Sequence, residues 1–385
     1  MNTQLDRLVV EHSLINLAKS GEELCGDCVQ LAKRNGSTVA VLADGLGSGV
    51  KANILATLTA RIAATMSKHG FPLEDVVDTL TRTLPECRTR KLAYSTFTIV
   101  QIADDGMTYL AEFDNPPVIV LHDGELLPLK RSERNIDGHH VAETRVQLND
   151  GDFVVAVSDG VVNAGLGRIT PLGWSWDYLA GFLCRNVDEN ETAQELALRI
   201  ERTCRQLYGG HLQDDTTALV MKVRTPVTVM LVVGPPENKR DDAKMAALLQ
   251  QYSGRRVVCG GTTAQIIARE WSAPIRVDIP IEDISVPPLA HIPGVDLTTE
   301  GIITISQTLG YIRNNHLLIG NNSTPARLAR LLLGADDIHF VVGRAINPAH
   351  QNPALGGGLA LKLKVIEELQ REMEALGKKV QVTCF

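Results

Sequence analysis

The sequence predicts an α/β protein of two domains, and three observations carry that prediction. Up to about residue 224, short β-type runs follow one another through tight Asn-Gly and Asp-Gly turns, the signature of antiparallel hairpins. Beyond Thr225-Pro226, strands and helices alternate, which suggests a smaller α/β domain with some parallel sheet. At 385 residues the chain also exceeds one average domain. The expected domains are 1–224 and 226–385.

Taken in order, a leader of about twenty residues precedes a strand over 21–30, a turn at Asn35-Gly36 and a return strand over 37–43. The reading places Asp27 and Asp44 on paired neighbouring strands. A helix over 50–69 carries Ile54, Leu58, Ile62 and Met66 at helical spacing, a stripe expected to face the core. A second helix over 73–84 is closed by Pro85. Strands over 95–103, 107–113, 118–121, 125–129, 144–148 and 152–158 follow, the last apolar throughout and so buried on both faces. A helix over 193–208 stops at Gly209-Gly210, and a strand over 218–223 closes the domain. The second domain reads as a strand over 227–233, a helix over 241–252, a strand over 256–259, a helix opened by Gly260-Gly261-Thr262-Thr263, a helix over 359–376 and a last strand over 379–384.

Composition excludes several function classes. With 44% hydrophobic and 22% charged residues the chain is an ordinary globular protein, and its formal charge of −7 argues against a nucleic-acid surface. No apolar run reaches the roughly 18 to 20 residues that span a bilayer. The first residues lack the basic and apolar regions of a signal peptide. Seven cysteines do not read as a disulfide framework, and a cytoplasmic location is expected. Cys25-Gly26-Asp27-Cys28 is a CxxC with no partner pair at zinc spacing; half-buried structural cysteines are the preferred reading.

Candidate chemistry centres on Asp44-Gly45-Leu46-Gly47-Ser48-Gly49, between an apolar strand and a helix. Its glycines let the backbone turn tightly and approach a ligand, and a helix N-terminus favours anions. Asp27, Asp159, Asp214 and Asp215 share its context, each at the end of an apolar strand or in the turn beside it. Any one of these acids alone reads as a turn or cap residue. Buried carboxylates in a group are costly unless cations neutralise them, and hard oxygen ligands suit Mg²⁺ or Mn²⁺.

Gly26-Asp27, Ala43-Asp44-Gly45-Leu46-Gly47-Ser48-Gly49, Ser158-Asp159-Gly160 and Asp214-Asp215-Thr216-Thr217 together resemble the metal-dependent protein phosphatases of the protein phosphatase 2C type, in the stage II sporulation protein E branch. The resemblance covers about residues 10 to 224. It implies an α-β-β-α sandwich of antiparallel sheets and a serine/threonine phosphatase using two Mn²⁺ or Mg²⁺ ions. Asp44 would bridge the ions with the Gly45 carbonyl as a further ligand, Asp159 and Asp214 would hold one ion, and Asp27 would support the other. Asp215 sits where relatives often carry Asn, so Asp214 is the favoured ligand of that pair. A water activated by two metals would attack the phosphoester of a phosphoserine or phosphothreonine protein; bacterial members often act on small anti-sigma-antagonist-type regulators.

Two departures accompany the resemblance. Many relatives place a His after the Asp-Gly where this chain has Leu46, with His211 or His139-His140 as substitutes, and no arginine for the substrate phosphate stands out. The rival reading is therefore a pseudophosphatase acting as a binding module. Residues 226–385 are expected to be regulatory, docking a partner or sensing a small ligand, and a metabolite sensor with a phosphatase output is a third possibility. There Gly260, Gly261, Thr262 and Thr263 are candidates to cradle an anion, against a plain glycine turn with a Thr cap. Asp296, Glu300, Asn314-Asn315-His316 and Gly343-Arg344-Ala345-Ile346-Asn347 are weaker pocket candidates.

Overall fold

The computed structural model describes residues 7–34, 36–83, 95–136, 138–188, 190–278, 289–345 and 358–385. The expected turn residue Asn35, the helix end at Leu84-Pro85 and Ile346-Asn347 lie outside them. The chain divides into two compact units, Met1–Thr225 and Pro226–Phe385.

The first unit contains β1 (Val9–Leu17), β2 (Asp27–Arg34), β3 (Ser37–Gly45), α1 (Gly49–His69), α2 (Leu73–Thr83), β4 (Ser95–Ala103), β5 (Met107–Phe113), β6 (Ile119–His122), β7 (Glu125–Leu126), β8 (Ser132–Ile136), β9 (His139–Gln147), β10 (Phe153–Val157), α3 (Asp159–Val162), α4 (Trp176–Asn186), α5 (Ala193–Leu207) and β11 (Thr216–Arg224). The strands form two sheets, in the orders β1-β11-β10-β6-β7 and β2-β3-β4-β5-β9-β8. Every pairing in them is antiparallel.

Three apolar layers hold this unit together. Leu42, Val100, Leu110, Val154 and Leu219 fill the space between the sheets. Val41, Ile99 and Phe97 on the outer face of one sheet pack against α1 and α2. Val155, Phe153 and Val220 on the outer face of the other pack against α4 and α5 through Leu179, Leu196 and Ile200. Strands with side chains buried on both faces thus lie in the middle of an α-β-β-α sandwich, as expected.

Three sequence expectations change here. The leader contains β1, which pairs along its whole length with β11 and closes that sheet. β8 and α4 are additions to the expected elements; Ser132–Ile136 is mostly polar and gives no alternating signal. The core stripe of α1 is also reversed: Ile54 and Leu58 are 52% and 53% exposed, Ile62 is exposed, and Met66 alone of the four packs partly inward. The buried face is Ala52, Ala56, Ala60 and Ala63, two residues or about 200° round the helix. The start of α1 lies so close to β3 that a Cβ on Gly45 would run into the Ala52 carbonyl. Larger side chains on that face would lift the helix away.

The second unit contains β12 (Thr228–Val233), α6 (Asp242–Gln250), β13 (Arg255–Cys259), α7 (Gly261–Glu270), β14 (Arg276–Asp278), β15 (Leu289–His291), β16 (Leu297–Thr299), α8 (Ile302–Arg313), α9 (Thr324–Gly334), β17 (Asp337–Val342), α10 (Gly358–Ala375) and β18 (Lys379–Cys384). β16-β13-β12-β17-β18 form one sheet, parallel throughout. One face is covered by α8, α9 and α10 through Ile305, Leu328 and Leu369, the other by α6 and α7 through Met245, Leu249 and Ile267. With its first strand in the middle and the order reversing between β12 and β17, this is a doubly wound sheet. The partial parallel sheet expected from the sequence is a complete one.

The facing of α1 is testable by urea unfolding. Ala60→Leu should cost about 1–3 kcal/mol by overpacking, whereas Leu58→Ser should change stability by no more than about 0.5 kcal/mol. The opposite ranking would return the large residues to the core.

Candidate active site

Both sheets of the first unit present strand ends to one edge, and the acids lie there. In the β2–β3 ladder Asp27 stands opposite Asp44, and Asp44 stands opposite Thr96 of β4. From the other sheet, Asp159 follows β10, and Asp214-Asp215 precede β11, the strand paired with β10. Asn16 of β1 ties the two edges together, its Nδ2 donating to the Asp27 carbonyl at 3.3 Å and to Thr217 Oγ1 at 3.2 Å. Ser158 exchanges bonds with Thr217: its N–H donates to the Thr217 carbonyl and its Oγ accepts from the Thr217 N–H, both at 2.9 Å.

Glycine makes the crowding possible. A Cβ on Gly26 would stand 2.6 Å from Asp215 Oδ2, and one on Gly160 would run into the Asp215 carbonyl. The Gly160 carbonyl in turn accepts 2.6 Å from Tyr208 Oη. Gly47 and Gly49 have φ of +101° and +71°, a backbone region costly for other residues. The loop is braced by Ser48 Oγ donating to Glu22 Oε1 at 3.1 Å, and Asn53 Nδ2 donates to the Cys25 carbonyl at 2.7 Å.

The electrostatics follow from burial and like charge. Asp27 is 2% exposed, and neither of its carboxylate oxygens has a hydrogen-bond partner of normal geometry. Burial pushes its pKa up to about 6, with Ser158 and Thr217 nearby pulling it down and Asp215 and Asp159 adding to the rise. Asp44 is pushed up to about 10, first by burial and then by Asp27, Asp159 and Asp214. Asp159 reaches solvent, yet the surrounding protein still raises it, while a hydrogen bond shared with Asp44 and the Gly160 N–H hold it down. Asp214, partly exposed, is raised by desolvation and by Asp159, and Lys19 draws it down.

Asp214 and Asp215 differ in setting. Asp215 is buried, and its Oδ1 accepts from the Lys19 N–H at 2.9 Å. Its Oδ2 is buried without a partner. Asn16 and Lys19 carry no signal in the sequence, because they reach Thr217 and Asp215 from about two hundred residues away along the chain. The structure keeps two of the candidate histidines away from this edge. His139 and His140 lie on β9, three strands from β3 and so about 14 Å away across the sheet. His211 is exposed in the loop before Asp214. Cys25 is a buried free thiol pushed up to about 12 by burial and Asp27, and Cys28 is also free.

A cation suits this donor set: all its side chains are hard carboxylates, and buried carboxylate oxygens of Asp27 and Asp215 lack partners. Among the described residues, no three His, Cys, Asp or Glu side chains close round a single point as a finished metal cage. In the second unit, Gly260 and Gly261 lie at the start of α7, Thr262 is exposed and Thr263 is buried. Asp296 is used structurally, accepting from Arg255 and from the Arg256 N–H. Among the described residues no helix is long and apolar enough to cross a membrane.

The raised pKa values fix the sign of a pH effect. Carboxyls raised in the fold hold protons that the unfolded chain has lost, so their penalty is absent below the ordinary value near 3.8 and grows as pH rises through 6 toward 10. Metal-free protein should lose stability over that window. Asp27→Asn should recover on the order of 1–3 kcal/mol at pH 8; a flat profile from pH 5 to 9 in chelator would contradict the charge crowding.

Residues 34–224 match the family model for stage II sporulation protein E (SpoIIE). A comparison with curated proteins finds no match. Among solved structures, the PP2C phosphatase domain with a fragment of the regulatory domain of the cell fate determinant SpoIIE from Bacillus subtilis is similar at 19% identity and a TM-score of 0.49, over 57% of this chain and 63% of that one. The chain thus spans less than two thirds of that structure. The PP2C domain of SiaA from Pseudomonas aeruginosa is similar at 18% identity and a TM-score of 0.45, over 55% of this chain and 85% of that one. RsbX in complex with magnesium is similar at 16% identity and a TM-score of 0.40, over 56% and 95%.

Proposed function

We propose that the chain, whose residues 34–224 match the SpoIIE family model, is a Mn²⁺- or Mg²⁺-dependent serine/threonine protein phosphatase of the PPM type. The observation that carries this is the gathering of five aspartates from two sheets at one edge, with buried carboxylate oxygens left unpartnered. Asp44, with the Gly45 carbonyl, would hold both ions; Asp159 and Asp214 would hold one, and Asp27 would support the other. Asp215, engaged with Lys19, serves as the inner member of its pair. When bound, two such ions would lower the pKa of water and offset charge on the phosphoryl oxygens.

The chain's own residues set what surrounds that chemistry. Asp27 and Asp44 stay fixed across one ladder, and Asn16 holds the second sheet to them. Lys19 supplies a positive charge beside Asp214, where the sequence showed no phosphate-holding arginine. The substrate class is a phosphoserine or phosphothreonine protein, the location the cytoplasm, and residues 226–385 a regulatory unit with a small ligand or a partner.

Leu46, standing where many relatives carry the His after Asp-Gly, favours a second reading, a binding module with negligible turnover. Hydrolysis of p-nitrophenyl phosphate and a phosphoserine peptide, with Mn²⁺, Mg²⁺ or chelator, separates the two. The phosphatase reading expects metal-dependent turnover that falls at least about 100-fold in Asp44→Asn and Asp159→Asn. Lys19→Met should raise KM more than it lowers kcat. Binding of Mn²⁺ without turnover, in the full chain and in residues 1–225 alone, would establish the module instead. Mn²⁺ at about 100 times its Kd should stabilise the fold by about 2.7 kcal/mol, and no thermal shift would argue against a metal site altogether.

A further inference from the structure

We propose that the second unit binds a phosphate-bearing anion between the N-termini of α7 and α8. β13 and β16 are parallel neighbours and end together, Cys259 opposite Thr299, with the Gly260 N–H donating to the Thr299 carbonyl at 2.9 Å. Each strand leads directly into a helix, α7 from Gly261 and α8 from Ile302. The two N-caps, Gly260 and Gly301, lie against each other: a Cβ on Gly260 would be 3.9 Å from the Gly301 Cα.

Neither helix end is capped by a side chain. Each leaves first-turn N–H groups unbonded within its helix and carries partial positive charge. Two such ends side by side make a place that favours an anion.

A second observation points to a ligand. Thr263, in the first turn of α7, is 1% exposed, and its hydroxyl has no hydrogen-bond partner. It is aimed at the Gly260 backbone, 3.3 Å from where a Cβ on that glycine would lie. Thr298 on β16 has a second buried hydroxyl without a partner. A glycine turn made only for packing would give no reason to bury the unbonded Thr263 hydroxyl beside an uncapped helix end. In an open α/β sheet, the carboxyl ends of the strands are also where ligands bind.

Glu300, exposed in the same β16–α8 loop, adds one negative charge. That favours a single phosphate group over a polyphosphate. Orthophosphate and a phosphomonoester share the recognised chemistry.

The test is calorimetric titration of the full chain in EDTA, so that phosphate cannot bind through divalent ions at the first unit. Orthophosphate and glycerol phosphate are the probes, with sulfate and chloride as controls. Saturable binding is expected in wild type and in Thr263→Ser, weakened about tenfold or more in Thr263→Val. Gly301→Ala, whose methyl has room in the fold, should weaken it as well by crowding the anion. Tighter binding of glycerol phosphate than of orthophosphate would identify an ester as the ligand, and the reverse order free phosphate. No saturable binding in wild type, or equal affinity in Thr263→Val, would overturn the site. Neither result bears on turnover at the first unit.

Discussion

Like charge held at a shared sheet edge is the constraint on which the first unit turns. Antiparallel pairing in register fixes Asp27 opposite Asp44, with no freedom to slip: a shift of one residue would turn every buried side chain of β3 to the wrong face. The second sheet adds Asp159, Asp214 and Asp215, because β10 ends where β11 begins. Burial raises Asp44 most, and three other acids add to the rise. A fold that builds such a place without a neutralising cation carries a standing cost.

Close approach makes the place possible. Gly26, Gly45 and Gly160 admit the Asp215 carboxylate, the Ala52 carbonyl and the Asp215 carbonyl where a side chain would stand. The alanine face of α1 belongs to the same requirement. A helix seated this near β3 must bury small residues, so its large ones remain outside. Packing, metal-compatible acids and loop geometry are in that sense one arrangement, with Asn16 and the Ser158–Thr217 pair locking the sheets that carry it.

The second unit obeys a different logic. Its parallel strands all point one way, so the following helices bring their N-termini to one edge of the sheet. Where the first unit concentrates negative charge, the second concentrates the positive ends of helix dipoles. At α7 and α8, glycine caps leave those ends bare.

Much of this was legible in the sequence, because it is written in local chemistry. The Asp-Gly pairs at the ends of apolar runs, the glycine loop after Asp44 and the pairing of Asp27 with Asp44 need only short-range patterns. β17 and the helices α8 and α9 were not read, and β16 is three residues long, too short for a periodic signal. β1 reads as a leader in the sequence because its strand character becomes useful only beside β11, some two hundred residues away. The stripe Ile54-Leu58-Ile62 showed that α1 is a helix, but periodicity reveals two faces and does not say which one meets the sheet. The sequence by itself determined the longer periodic elements of the first unit, the acids at the ends of its apolar runs and the loop that turns beside Asp44. Tertiary structure alone decided the face of α1, the setting of Asp215 against Lys19, and the meeting of Gly260 with Gly301. Each of those depends on how closely two distant backbones approach, and no local pattern encodes that distance.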